Sequence, residues 1–103
     1  MFKLNPIIAE FIGTFLFISV IFHVVKAKST TILSAAPVTI GLGLALMIYL
    51  FGPFSGGHFN PAVSLAMVLH NSLPAKDFGF YLLAQMAGAV CAYYAFRWSG
   101  SML

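Results

Sequence analysis

The sequence predicts an all-α membrane protein with three transmembrane helices and one re-entrant half-helix. Three observations indicate this fold: the composition, three long apolar stretches, and a helix start that lies between the second and third of them. Of the 103 residues, 61% are hydrophobic and 7% are charged, and the mean hydropathy is +1.00. So little polar surface cannot cover a water-soluble globule of this size. We therefore expect an integral membrane protein, with the plasma or inner membrane of a cell as its location.

Three apolar stretches are each long enough to cross about 30 Å of hydrocarbon as a helix. The first is entered at Pro6, where proline suits a first helical turn, and is left at Lys26. The second stops at the Gly52-Pro53 pair, and the third carries Asp77 in its first turn, where the helix dipole favours an anion. The predicted spans are about 6–25, 34–51 and 75–98.

A short helix is predicted between the second and third spans. Asn60 is a good N-cap and Pro61 a good first helical residue, so a helix should begin at this pair. It is expected to run for about eleven residues, or roughly 16 Å, which is half a bilayer. The chain from Pro53 to Asn60 is long enough to reach the midplane, and the helix then returns to the side from which the chain came. The sequence therefore predicts a re-entrant loop and half-helix over about 53–71.

The ionisable residues are few and are spread along the chain. The formal net charge is +3, and no stretch is typical of nucleic-acid binding. With three spans, one side of the membrane receives Lys3, Lys76 and Asp77, and the other receives Lys26, Lys28 and Arg97. This near balance gives the positive-inside rule little to act on. We therefore expect the chain to insert into the membrane in both orientations. We also expect residues 1–103 to form a single domain.

Two patterns within the spans are typical of structural roles. Aromatic residues fall towards the ends of the third span, which favours an interfacial aromatic belt; they are Tyr81, Tyr93, Tyr94 and Trp98. Small residues recur every four positions in the second and third spans, which indicates close helix contacts. These are Gly41 and Ala45, and Ala84, Gly88 and Ala92.

Four short motifs follow one another along the chain: AEFIGTFLF (Ala9–Phe17), GLGLA (Gly41–Ala45), SGGHFNPAVS (Ser55–Ser64) and AQMAGA (Ala84–Ala89). In this order and spacing they resemble the first half of an aquaporin or glycerol facilitator of the major intrinsic protein family. Members of that family contain two such repeats of opposite orientation, whose half-helices meet tip to tip at the membrane centre. This sequence has one repeat. The resemblance therefore implies an antiparallel homodimer in the lipid bilayer, assembled as an octamer if it follows the family's tetramers.

The resemblance places Asn60, Pro61 and Ala62 at the centre of a pore. A half-helix N-terminus carries roughly half a positive charge, which repels cations, while an asparagine amide can donate a hydrogen bond to a neutral solute. The family's spacing places four residues at the outer constriction: Ile40, Ile48, Gly57 and Val63. Val63 stands where the family's second repeat has an arginine, so both mouths are expected to be apolar. The implied function is a passive channel for water, small uncharged solutes such as glycerol, or both.

The resemblance also assigns three residues to the support of the re-entrant loop: Glu10, His58 and Gln85. In the family, the glutamate of Ala-Glu-Phe braces the loop through backbone amides; an interfacial carboxylate is the other interpretation of Glu10. Gln85 is similar to a position that hydrogen-bonds inside the repeat. His58 either holds the loop or faces the vestibule. Since His23 and His70 are expected to lie near other surfaces, no metal site is expected. No cofactor is expected either.

Two other functions remain compatible with the sequence. A proton-coupled small multidrug exporter has a similar length and uses a lone membrane glutamate in its first span, a role open to Glu10. Alternatively, the chain is a non-conducting half-subunit that needs a separate second half to supply the missing arginine. No catalytic constellation is present in the sequence, so we expect no enzyme activity.

Overall fold

The computed structural model describes residues 2–27 and 32–102, and these residues form four helices without strands. Three helices are long and one is short. They are α1 (Pro6–Ala27), α2 (Ile32–Ser55), α3 (Pro61–Leu69) and α4 (Ala75–Met102). The prediction of an all-α membrane protein is confirmed, because α1, α2 and α4 are each long and apolar enough to cross a membrane. The chain is an integral membrane protein.

The long helices extend beyond the predicted spans, by two residues at the end of α1 and the start of α2 and by four at the ends of α2 and α4. α2 does not stop at Gly52-Pro53 but continues to Ser55, with Pro53 inside it. Pro53 removes one N–H donor from the hydrogen bonds of the helix. The helical pattern resumes beyond it, where the Gly56 N–H donates to the Gly52 carbonyl at 2.8 Å. α4 continues beyond residue 98 to Met102. At 1.5 Å per residue, α4 is about 42 Å long, so it exceeds the hydrocarbon thickness.

α1 holds the molecule together, because it packs against both α2 and α4, whereas the short α3 packs against α4. The approach of α1 to α4 is close at Gly88, where an added Cβ atom would lie 2.7 Å from the backbone oxygen of Phe11. Ala84 and Ala92 are buried on the same helix. Small residues therefore form this helix contact, as is usual in membranes.

The small residues of α2 have a different environment. Apart from the backbone of its own helix, nothing lies within 4 Å of the position that a Cβ of Gly41 would occupy, and Ala45 is exposed. The pattern Gly41-x-x-x-Ala45 therefore makes no close contact within the described part of the chain. Large apolar side chains on the same helix are also exposed, including Val38, Leu42 and Leu46. One side of α2 is thus open to lipid or to another chain.

Candidate functional site

The site is built around the start of α3. Asn60 caps this helix with an extended backbone (φ −160°, ψ 123°), and Pro61 follows at the first turn. The Asn60 side-chain oxygen accepts from the Ala62 N–H at 2.8 Å. Because only the oxygen is used in the cap, the side-chain NH₂ group retains its donors for another acceptor. Asn60 and Ala62 are exposed, so the N-terminal end of α3 faces the surroundings of the chain.

The loop between α2 and α3 has an unusual backbone. Gly56 (φ +90°), Gly57 (φ +66°) and Phe59 (φ +53°) are all in or near the left-handed region. Gly57 also approaches α2 closely, since a Cβ there would lie 3.3 Å from the Ile48 Cα atom. The Phe59 ring occupies the space above Gly13 of α1, where an added Cβ would overlap it. A strained backbone of this kind persists only when its surroundings fix it.

Glu10 of α1 holds this loop backbone in place through hydrogen bonds. Its side chain is completely buried. One carboxylate oxygen accepts from the Ser55 hydroxyl at 2.7 Å and from the His58 N–H at 2.9 Å. The other oxygen accepts from the Phe59 N–H at 2.8 Å and from the Gln85 side chain at 2.9 Å. A buried carboxylate is tolerated when donors surround it in this way, so this network joins α1, the loop and α4.

A second group of side chains extends the network towards α3. Ser64 is completely buried, and its hydroxyl accepts from the Gln85 side chain at 2.9 Å and lies 2.8 Å from Nδ1 of His58. The Tyr81 hydroxyl donates to the Ser55 carbonyl at 2.7 Å, and the Tyr81 ring lies 5.0 Å from the His58 ring. The side chains of α3 and α4 are thus joined to the base of the loop, while the side-chain oxygen of Gln85 is buried without a hydrogen-bond partner in the described part of the chain.

Ser55, Ser64 and Tyr81 belong to this network but were not predicted as site residues. The two serines are the first and last residues of the motif SGGHFNPAVS, so their place in that motif was the available signal. Tyr81 was assigned to an interfacial belt, and this was wrong: it is 5% exposed, because it packs under the loop. By contrast Tyr94 and Trp98 are 64% and 68% exposed.

The predicted constriction residues lie on three different segments. Ile40 and Ile48 are on α2, Gly57 is in the loop and Val63 is on α3. The structure brings Ile48 and Gly57 together, since a Cβ on Gly57 would lie 3.4 Å from the Ile48 side chain. Ile40 is separated from Ile48 by about 12 Å along the helix axis. Ile40 and Ile48 therefore lie at different depths in the membrane.

No group of three or more potential metal ligands occurs among residues 2–27 and 32–102. His58 is instead engaged by a hydroxyl and an aromatic ring. The arrangement as a whole presents a helix N-terminus and an asparagine amide on a rigid, hydrogen-bonded base. Such a terminus favours electronegative atoms and disfavours cations.

Comparison with known proteins agrees with this geometry. The family model described as Major intrinsic protein matches residues 2–99. The chain is 41% identical over 86 residues to Glycerol uptake facilitator protein-like 6 of Lactiplantibacillus plantarum, covering 82% of this chain and 39% of that protein. It is 43% identical over 100 residues to Aquaporin Z of Brucella melitensis, with coverage of 86% and 41%. It is 41% identical over 93 residues to Aquaporin-10 of Milnesium tardigradum, with coverage of 82% and 22%. The chain thus spans less than half the length of these relatives.

Proposed function

The chain belongs to the major intrinsic protein family, and we propose that two copies of opposite orientation form a passive membrane channel for water and small uncharged solutes such as glycerol. The observation that carries this proposal is the exposed N-terminus of α3, which is capped by Asn60. The loop ahead of it is held by hydrogen bonds from its backbone to the Glu10 carboxylate. A half-helix held this rigidly has a defined end that a second half-helix can meet. We expect the channel to reside in a cell membrane.

The first argument for a second copy is the cost of exposed backbone. In hydrocarbon, each unpaired backbone group costs several kcal/mol, and irregular segments are tolerated only where protein or water covers them. The loop from Gly56 to Asn60 is irregular, and its Asn60 end is exposed in a single chain. An inverted copy covers this end with its own loop and half-helix, an arrangement found in proteins with inverted repeats.

The open side of α2 supports the same conclusion. Gly41 and Ala45 form a small-residue pair with free space in front of it, and such pairs allow two membrane helices to approach closely. We propose that α2 of the inverted copy occupies this side. Four channels of this kind then form an octamer, if the assembly follows the tetramers of the family.

The chemistry of the pore follows from the two helix ends. Each contributes roughly half a positive charge at the midplane, which repels cations as in aquaporin-type pores. The Asn60 amide of each copy donates hydrogen bonds that replace those a solute loses on leaving bulk water. Neutral, hydrogen-bonding solutes therefore pass, whereas ions are excluded.

The proposed mouths determine which neutral solutes enter. In the antiparallel arrangement Ile40 of one copy meets Ile48 and Gly57 of the other, in accord with the different depths of Ile40 and Ile48 within one chain. Val63 lines the same constriction and supplies no cation. An apolar ring without fixed hydrogen-bond donors favours the carbon backbone of a polyol over a strict single file of water.

A second candidate is favoured by one observation. Because the chain covers 41% of Aquaporin Z and 39% of the glycerol facilitator, it also matches a half-subunit that pairs with a separate second half. The exporter hypothesis has less support. Its glutamate must exchange protons and substrate, but Glu10 is completely buried and accepts four hydrogen bonds.

The test is stopped-flow light scattering of vesicles that contain only this purified chain. We expect water and glycerol permeabilities above those of empty vesicles. Val63→Trp, which fills the proposed constriction, is expected to lower both. Leu65→Trp is the matched control, since Leu65 lies on the same helix and is 50% exposed. Permeability equal to that of empty vesicles, with the chain inserted and folded, would refute the homodimeric channel and favour the half-subunit.

A further inference from the structure

The C-terminal ends of α1 and α4 form a second polar site, remote from the loop. A pocket of about 410 Å³ lies between them. The Lys26 ammonium lies 5.6 Å from the centre of the Phe96 ring. The Arg97 guanidinium lies 5.9 Å from the centre of the Tyr93 ring and donates to the Tyr93 hydroxyl at 3.2 Å. Both cations line the pocket and are held by aromatic side chains.

Neither acidic side chain of the protein is near these two cations. The sequence contains two acidic residues, Glu10 and Asp77. Glu10 is occupied by the loop, and Asp77 lies in the first turn of α4, roughly 30 Å along the helix from Arg97. This end of the chain therefore has an excess of positive charge.

The shape and position of the pocket indicate which anion balances this charge. Its remaining wall is mainly apolar, with Phe22, Val25 and Phe96 beside the two cations. Lys26 is the last residue of the first candidate membrane span, and Arg97 lies near the end of the third. The pocket thus lies at the level of the lipid headgroups. A ligand that fits it carries a negative charge at one end and a hydrocarbon chain at the other.

We infer that Lys26 and Arg97 bind the phosphate of an anionic phospholipid, whose acyl chain covers Phe22, Val25 and Phe96. Basic pockets between membrane helices bind lipid headgroups in this way, and the planar guanidinium of Arg97 suits a phosphate. A free phosphate ion has the same charge but leaves the apolar wall uncovered. The site is formed within one chain, so it does not depend on the antiparallel channel proposed above.

The chain contains its own probe for this site. Trp98 is the single tryptophan of the sequence and directly follows Arg97. Its fluorescence is to be measured in vesicles that contain bromine-labelled phosphatidylglycerol or bromine-labelled phosphatidylcholine, since bromine quenches a nearby indole. We expect stronger quenching by the anionic lipid. One basic residue near an anionic membrane surface usually strengthens binding about five- to sixfold. Loss of both cations is therefore expected to reduce the preference for the anionic lipid about thirtyfold.

Three variants make the test decisive. Lys26→Gln with Arg97→Gln is expected to lose the preference for the anionic lipid while both lipids still quench Trp98. Lys3→Gln with Lys76→Gln removes the same amount of charge at the other end of the molecule. This control variant is expected to keep the preference for the anionic lipid. Should the first variant fail to insert, Lys26→Arg with Arg97→Lys retains the charge and is expected to preserve the preference.

Three results would overturn the inference. The first is an unchanged preference for the anionic lipid in the variant that combines Lys26→Gln with Arg97→Gln. The second is an equal loss in the control at Lys3 and Lys76, which would indicate a nonspecific surface effect. The third is abolition of the preference by inorganic phosphate at constant ionic strength, which would identify the free anion as the ligand. None of these results depends on transport, so failure of the channel proposal would be recognised separately by permeability.

Discussion

Replacement of Glu10 by glutamine tests the proposed role of the buried carboxylate. The change conserves size and removes the charge. In the structure the carboxylate accepts from four donors: the Ser55 hydroxyl, the His58 N–H, the Phe59 N–H and the Gln85 amide. The new amide has one oxygen, which can accept two of these bonds, and an NH₂ group that faces the other two donors.

The expected cost follows from this count. A buried donor without a partner costs about 1–3 kcal/mol, so two of them lower the free energy of unfolding by about 2–6 kcal/mol. The donors at risk include the backbone N–H groups of His58 and Phe59, which fix the loop ahead of Asn60. We therefore expect Glu10→Gln to lower water and glycerol permeability as well as stability.

The assay is equilibrium unfolding in mixed micelles with increasing sodium dodecyl sulfate, followed by far-ultraviolet circular dichroism. Asp77→Asn is the matched control, because it neutralises the other acidic residue, which lies in the first turn of α4. The control is expected to cost about 1 kcal/mol or less, the usual effect of a charge at a helix N-terminus. Equal stability of Glu10→Gln and Asp77→Asn would refute the reasoning.

Three further predictions use the same purified chain. Gly57→Ala, at φ +66° and close to the Ile48 backbone, is expected to destabilise the fold by about 1–3 kcal/mol in the same unfolding assay. Gly79→Ala, on α4 where space is open, is the control and is expected not to destabilise it. Gln85→Leu removes the donor that joins Glu10 to Ser64 and is expected to cost about 2 kcal/mol; an unchanged midpoint would contradict this. Val63→Arg introduces a cation at the proposed constriction and is expected to reduce glycerol permeability more than water permeability in stopped-flow measurements, and an equal reduction of both would count against Val63 lining the mouth.

Much of the fold could be predicted from composition and local rules. The low charge and the three apolar stretches indicate membrane helices, because span length is set by bilayer thickness. The start of α3 followed from the capping preference of Asn60 and the fixed φ of Pro61. The end of α2 was misplaced, because a proline does not always end a helix; here the helix ends at a glycine pair with positive φ.

The hydrogen-bond network could not be derived from local rules. Glu10 contacts residues that lie 45 to 75 positions away in sequence, and no periodicity encodes a pairing of that range. The resemblance to a known family was the source of the expectation for Glu10 and Gln85. It did not identify Tyr81, since an aromatic residue near the end of a membrane span is compatible with both an interfacial and a buried position.

The central proposal, a channel completed by an inverted copy, is tested most directly by the orientation of the chain in the membrane. Phe2→Cys in a Cys91→Ser background supplies a single thiol ahead of α1 and leaves every charged residue in place; Phe2 is an exposed residue. A membrane-impermeant maleimide is then applied to sealed vesicles, before and after they are opened by detergent. We predict labelling of about half of the molecules in sealed vesicles, because the charge balance permits both orientations. Labelling of all or of none would contradict it.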